Sequence, residues 1–354
     1  MIDTHTDTLT KMQLAGVLRH YGRGLQRAEP VSGGFSGARV WRVTTSEGSV
    51  IALRCSAAAD PELRQQRLAV CRLMRWAGEQ GHEWAPRPLE VECSPFDRHE
   101  FLVNQGEFVW QAEEWMSGEA VMSKPSPGQL RAALETLGQL QRTGRDFVLR
   151  SGSMGGLRLA VGRSPGLERR LQIVQSLGAG ELALLLAAAQ RHANEEFREL
   201  AVECGQCLRE RLGWLEGQLR QSVVRHFMLQ PVLRDIWKPH VLFTGNVVTG
   251  VIDWNAAATD HVAFDYARLL CSWYGRGAVD AGNVNEILPA EWTEQERQLW
   301  RLCCESVLLL SPVTWLRRLC GNGGRSSSAG VLTAAVLERF REVAAMCGVF
   351  SRNR

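Results

Sequence analysis

The 354-residue sequence has no strong charge of either sign: 41 Lys and Arg against 38 Asp and Glu leave a formal net charge of +3. Nucleic-acid and anionic-membrane partners are met by concentrated basic stripes, so this balance gives no ground for either. Long apolar runs are missing as well. The longest, residues 182–189, falls far short of the roughly 20 residues a bilayer-crossing helix needs, so no membrane span is expected. The opening stretch, with Asp3, His5 and Asp7, lacks the basic start and apolar core of a secretory signal, and a cytoplasmic protein is expected. Nor do the ten cysteines, scattered from Cys55 to Cys347, form a disulfide framework. Cys71, Cys303 and Cys320 lie in apolar helical patterns, where a thiol serves as a small hydrophobe. Cys204 and Cys207 make one CxxC without a second ligand pair nearby, which reads as two helix-facing thiols rather than zinc ligands.

What is there is a globular composition, 45% hydrophobic and 22% charged, in a chain long enough for one large or two ordinary domains. The first third reads as strands around a single helix. Residues 31–43 and 49–55 are apolar-rich and joined by a Ser-Glu-Gly turn, a hairpin signal. Pro61 opens a helix in which Leu63, Val70, Leu73, Met74 and Ala77 recur at helical spacing up to Gly78. Strands are expected at 89–92, 100–104 and 108–115. From Pro127 the pattern turns helical, with further helices over 167–177, 181–207 and 207–227. A hairpin over 241–252, turning at Gly245-Asn246, interrupts them, and a capping box of Thr293 and Glu296 opens one of the closing helices. The boundary falls near Gly118, giving lobes of residues 1–117 and 118–354.

Three segments carry chemistry. Ser32-Gly33-Gly34-Phe35-Ser36-Gly37 is a glycine loop; without Cβ atoms its backbone can approach a phosphate and aim N–H groups at it. Arg54 lies on the strand that follows and offers a cation with forked donors. Leu233-Arg234-Asp235-Ile236-Trp237-Lys238-Pro239-His240 precedes the hairpin, and Val251-Ile252-Asp253-Trp254 ends it. Phosphoryl transfer needs one aspartate to orient the acceptor hydroxyl and take its proton. It needs another carboxylate to hold the cation that bridges the phosphates. A hairpin with these aspartates at its two ends fixes their separation.

In that order the segments resemble the aminoglycoside phosphotransferase and choline kinase-like family over most of the chain. The glycine loop, the run Ala112-Glu113-Glu114-Trp115-Met116-Ser117-Gly118, the blocks 233–243 and 250–254, and the segment 260–270 all carry the likeness. The resemblance implies an α+β, two-lobed protein-kinase-like fold, with a small antiparallel sheet lobe and a larger, mainly helical lobe. It implies an ATP-dependent kinase of a small molecule, using Mg2+, with Mn2+ as an alternative. Asp235 would be the base and Asp253 a metal ligand. Ser32, Gly33, Gly34, Phe35, Ser36 and Gly37 would cover the phosphates and Arg54 would contact them. Glu114, Trp115 and Met116 would lie along the adenine, and Asp265 would buttress the catalytic loop.

The sequence also departs from the family. His240 replaces a metal-binding asparagine, which implies a changed metal preference, a one-metal site, lost catalysis or a merely packed histidine. Leu233 and Gln141 stand where the family often has histidines. The helix after the glycine loop has no acid between Leu63 and Gly78, so Arg54 is left to Gln65, Gln66 or the nucleotide for orientation. A nucleotide- or metabolite-binding pseudokinase is therefore the alternative. For the acceptor, the expected wall is the 152–166 segment and the closing helices. There Arg158, Arg163, Arg169 and Arg170 would suit an acidic molecule, and Glu286, Glu291, Glu294 and Glu296 a basic one.

Overall fold

The computed structural model describes residues 11–31, 38–57, 60–92, 100–280, 288–320 and 332–348. Strands β1 (Leu25–Pro30), β2 (Arg39–Thr45), β3 (Val50–Ala57), β4 (Leu102–Gln105) and β5 (Phe108–Glu114) form one antiparallel sheet in the order β1-β2-β3-β5-β4. Side chains alternate faces along a strand. In β3, Ile51, Leu53 and Cys55 point into the lobe's core, so Ala52 and Arg54 face the other way. Trp41, Val43, Trp110 and Ala112 join that core, which helix α1 (Lys11–His20) covers through Leu14, Val17 and Leu18. The hydroxyl of Tyr21, just past α1, donates to the carbonyls of Phe101 and Trp110 at 3.0 and 3.1 Å.

Helix α2 (Pro61–Glu79) begins where Asp60 accepts from the N–H of Leu63 and Pro61 occupies the first turn, the cap the sequence favours. It buries Leu68 and Cys71 against Phe101, Leu102 and Val109. Its other buried residues, Ala69, Val70, Leu73, Met74 and Ala77, belong to the core of the larger lobe. α2 therefore ties both lobes together.

After β5 the chain passes Gly118, whose φ is 102°. A Cβ there would lie 2.8 Å from the carbonyl oxygen of Phe243, so only glycine fits. The next two residues form β6 (Glu119–Ala120), which adds to the hairpin of β9 (Val241–Thr244) and β10 (Val247–Val251). Gly245 has a φ of 62°, as the first turn residue of a type II′ hairpin requires. A further small sheet joins β7 (Ala160–Gly162), β8 (Phe227–Val232) and β11 (Ala258–Asp260). Around these pack helices α3 (Pro127–Ser151), α4 (Pro165–Ser176), α5 (Leu182–Gln190), α6 (Glu195–Val223), α7 (Ala263–Tyr274), α8 (Gly277–Asp280), α9 (Glu294–Cys320) and α10 (Ala334–Met346). This is the two-lobed α+β kinase-like architecture.

Several local expectations need correction. Residues 89–92 are not a strand: the N–H groups of Leu89, Val91 and Glu92 go to Ala112, Glu100 and His20, so no single ladder forms. The expected helix over 181–207 divides where Asn194 caps α6 by accepting from Phe197, and α6 then runs on to Val223. Helix α1 and strand β1 were not expected. Two helical stretches, Pro165–Gln190 and Glu294–Cys320, are long and apolar enough to cross a membrane by length and composition, contrary to the sequence reading. The second is mostly buried among other helices, and the first is interrupted at Gly180, whose φ of 115° is not helical.

Candidate active site

Arg54, Glu114, Trp115, Met116, Asp235, His240 and Asp253 line one cleft of about 490 Å³ between the sheet lobe and the helical lobe. Ser32–Gly37 lie outside the described residues, but Val31 and Ala38 on either side also border the cleft. Asp265 sits behind it, fully buried.

The loop that carries Asp235 is bolted from both sides. Leu233 and Ile236 are buried in the core, and the main-chain N–H groups of Leu233 and Arg234 donate to the two oxygens of Asp265 at 2.8 and 2.7 Å. Burial pushes the Asp265 carboxyl up to about 7, against the hydrogen bond from Leu233, which favours the ionised form. Arg234 has a φ of 66° and Asp253 one of 62°. Among the described residues these are the only non-glycine residues with positive φ, a strained setting that costs about 1–3 kcal/mol and clusters at functional loops. Both flank the same hairpin.

Asp253 is held by two neighbours, with a third ring nitrogen close by. The Nη2 of Arg54 lies 3.0 Å from its Oδ1, Asn255 Nδ2 donates to the same oxygen at 3.4 Å, and His240 Nε2 is 3.8 Å from its Oδ2. Below it Trp254 is buried, donates its indole N–H to Val251 O at 2.7 Å and stacks on Trp84.

Both ring nitrogens of His240 are engaged. The indole N–H of Trp237 can only donate, and it lies 3.0 Å from Nε2, so that nitrogen accepts. The proton therefore sits on Nδ1, which donates to the carbonyl of Asp235 at 2.8 Å. Burial lowers the pKa of His240, overriding the opposing pull of Asp253 and Asp235 and favouring the neutral ring.

Helix α2 does not orient Arg54 through a glutamine. Gln66 donates to Ala257 O at 2.8 Å instead, tying α2 to the segment after Asp253. The polar group that α2 sends towards Arg54 is Arg67, which donates to Ser56 Oγ at 2.6 Å. Arg54 and Arg67 border a side pocket of about 230 Å³ together with Asp235 and Asp253. On β5, Glu113 faces the cleft opposite Ala52; burial pushes its carboxyl up to about 7, and Arg54 opposes that rise.

Beyond Asp235 the cleft is walled by α7, α9 and α10. Arg268 on α7 places Nη2 2.9 Å from Asp235 Oδ1 and Nη1 3.3 Å from Ser311 Oγ. Trp237 has the guanidinium of Arg339 3.6 Å from its ring centre and that of Arg268 at 5.5 Å. Arg158, Arg163, Arg169 and Arg170 do not line this cleft; Arg170 packs over Phe264. Glu291 and Glu296 border a separate groove of about 1060 Å³ beside α3, and Glu294 does not line the cleft either. Arg67 and Arg318 border the site without any local pattern to set them apart, and Trp237 and Arg268, though inside the segments 233–240 and 260–270, were given no role by the sequence.

A fold with a strand cation, a hinge segment and two hairpin aspartates at one interlobe cleft is that of the kinase-like phosphotransferases. The model of the phosphotransferase enzyme family (APH) matches residues 27–300, and the chain belongs to that family. Among solved structures it is similar to an aminoglycoside phosphotransferase from Alicyclobacillus acidocaldarius, at 16% identity and a TM-score of 0.58, with 99% of this chain and 96% of that one covered. It also resembles the spectinomycin phosphotransferase APH(9)-Ia in complex with ADP and spectinomycin, at 14% identity and a TM-score of 0.58 over 95% and 97% of the two chains. A third likeness is to the amicoumacin kinase hAmiN in complex with AMP-PNP, Ca2+ and Ami, at 13% identity and a TM-score of 0.52 over 95% and 94%. No curated protein matches the sequence.

Proposed function

We propose that the protein is an ATP-dependent kinase of a small molecule, built on lobes divided at Ser117 and Gly118. The observation that carries this reading is the meeting of Arg54, Asp235 and Asp253 in one cleft, although Arg54 belongs to the sheet lobe and the aspartates to the helical one. In this reading Glu114, Trp115 and Met116 run along the adenine, the loop Ser32–Gly37 covers the phosphates, and Arg54 contacts them. Asp235 orients the acceptor hydroxyl and receives its proton as the oxygen bonds to the γ-phosphorus and ADP departs.

The residues present fit a divalent cation. Mg2+ keeps several waters and is held by one or two carboxylates plus substrate phosphates, so Asp253 can suffice as the protein's anionic ligand. The cation supplies charge neutralisation at the phosphates. His240 already spends its lone pair on Trp237, which favours a positioning role over ligation. The complexes of similar phosphotransferases with ADP and with AMP-PNP and Ca2+ support a nucleotide and a divalent cation here.

Calorimetric titration of ATP with Mg2+, with Mn2+ and with neither, on the wild type and Asp253→Ala, tests the reading. Metal-dependent binding that vanishes in the variant is expected. Metal-independent binding would indicate a pseudokinase module, and no binding under any condition would sink the reading.

A further inference from the structure

We propose that the acceptor is an anionic hydroxylated small molecule, whose carboxylate or phosphate lies a few bonds from the hydroxyl that is phosphorylated and is received by Arg268. The proposal rests on the kinase reading and names its substrate class.

The first support is the make-up of the acceptor wall. Its lining residues on α7, α9 and α10 include Arg268, Ser311, Thr314 and Arg318, and no carboxylate among the described residues. The nearby Glu342 is already engaged by Lys238 and Arg339. Asp235 is thus the one acid this end of the cleft offers, and it is needed for the hydroxyl.

The second support is the state of the aromatic rings. A quaternary or primary ammonium could be held without carboxylates by aromatic faces. Here those faces are taken: Trp237 carries the guanidinium of Arg339 at 3.6 Å, and Trp315 carries that of Arg318 at 5.8 Å. A cationic acceptor would meet guanidinium groups where it needs π-electron density.

The third support is the placement of Arg268 itself. Its Nη2 touches Asp235 and its Nη1 reaches Ser311, each nitrogen keeping a second N–H, while its Nε is shut off from solvent. A planar guanidinium receives carboxylate or phosphate through paired donors. An acceptor with its hydroxyl on Asp235 therefore has Arg268 within reach of an anionic group two or three atoms away. In the step itself the acceptor oxygen bonds to the γ-phosphorus, the bond from that phosphorus to the β–γ bridging oxygen breaks, and the hydroxyl proton passes to Asp235.

The test is ligand-observed NMR on full-length protein loaded with Mg2+ and AMP-PNP. The probes are glycerate and 3-hydroxybutyrate for carboxylates, glycerol 3-phosphate for phosphates, and ethanolamine and choline for cations. At least one anionic probe should bind, and the cations should not; which anion binds better separates carboxylate from phosphate recognition. Arg268→Gln should weaken the anionic probe on the order of 10- to 100-fold while AMP-PNP still binds, and Arg268→Lys should restore part of the loss. Binding of the cations in preference, no binding of any anion, or equal anion binding by Arg268→Gln would overturn the proposal. The ranking on the wild type decides the matter even if Arg268→Gln fails to fold. Failure of AMP-PNP to bind the wild type would instead bring down the kinase reading on which the proposal stands.

Discussion

Arg54 places its guanidinium 3.0 Å from the carboxylate of Asp253, across the cleft between the two lobes. With no acid in α2 between Leu63 and Gly78, this aspartate is the partner that orients the strand cation. On the proposed reading, Arg54 would have to leave this oxygen for the phosphates before Asp253 could offer it to a cation.

Arg54→Met is expected to weaken metal-dependent ATP binding by about 10- to 100-fold, the scale of losing hydrogen bonds to a charged group. Arg54→Lys should lose less, since it keeps the charge but not the fork. Titration calorimetry reads both. An unchanged dissociation constant in Arg54→Met would remove this residue from the phosphate site.

His240→Asn is expected to cost about 1–3 kcal/mol of stability, because a half-buried donor on Trp237 and the Asp235 carbonyl both lose their imidazole partner. Urea denaturation measures the loss. A variant with unchanged stability and altered metal preference would make His240 a ligand after all.

Gly118→Ala should destabilise the protein by about 1–3 kcal/mol, through a left-handed backbone that disfavours alanine and a clash with Phe243 O. Gly81→Ala is the control: its φ is also positive, at 83°, but nothing lies within 4 Å of the added carbon, so only the backbone part of the cost remains. Equal losses in the two would show that the close approach at Gly118 contributes nothing.

Glu296 carries a pH signature. The hydrogen bond from His261, with those from Thr293, holds its carboxyl down to about 2 from an ordinary value of 4.5. A depressed acid contributes stability above its unfolded value and loses it as pH falls through the folded one. Between about 4.5 and 2 the wild type should therefore lose stability more steeply than Glu296→Gln. Parallel acid-denaturation curves would show that the contacts carry no free energy.

Much of this arrangement was legible in the sequence because it is local. The hairpin over 241–252 followed from Gly245-Asn246 between apolar runs, and the Thr293–Glu296 box from two residues three apart. The order of glycine loop, strand arginine and paired aspartates carried the fold. The illegible part is long-range. Nothing in the run 260–270 distinguishes Arg268 from any helix-surface arginine until folding brings it against Asp235. Gln66 is a polar group on the right helix, but its partner is a main-chain carbonyl 191 residues away. His240 stands out in the sequence, but what engages it depends on the turn that brings the Trp237 indole N–H to its ring.

That tie between Gln66 and Ala257 also bears on the order in which the molecule is made. The sheet lobe has its own core within the first 114 residues and can begin to organise while the rest is still on the ribosome. The cleft has no such early life: its far wall is α9 and α10, and its clamps join α2 and β3 to residues beyond 250. A chain cut before α9 and α10 would thus keep the residues of the sheet-lobe core but lack one whole wall of the cleft.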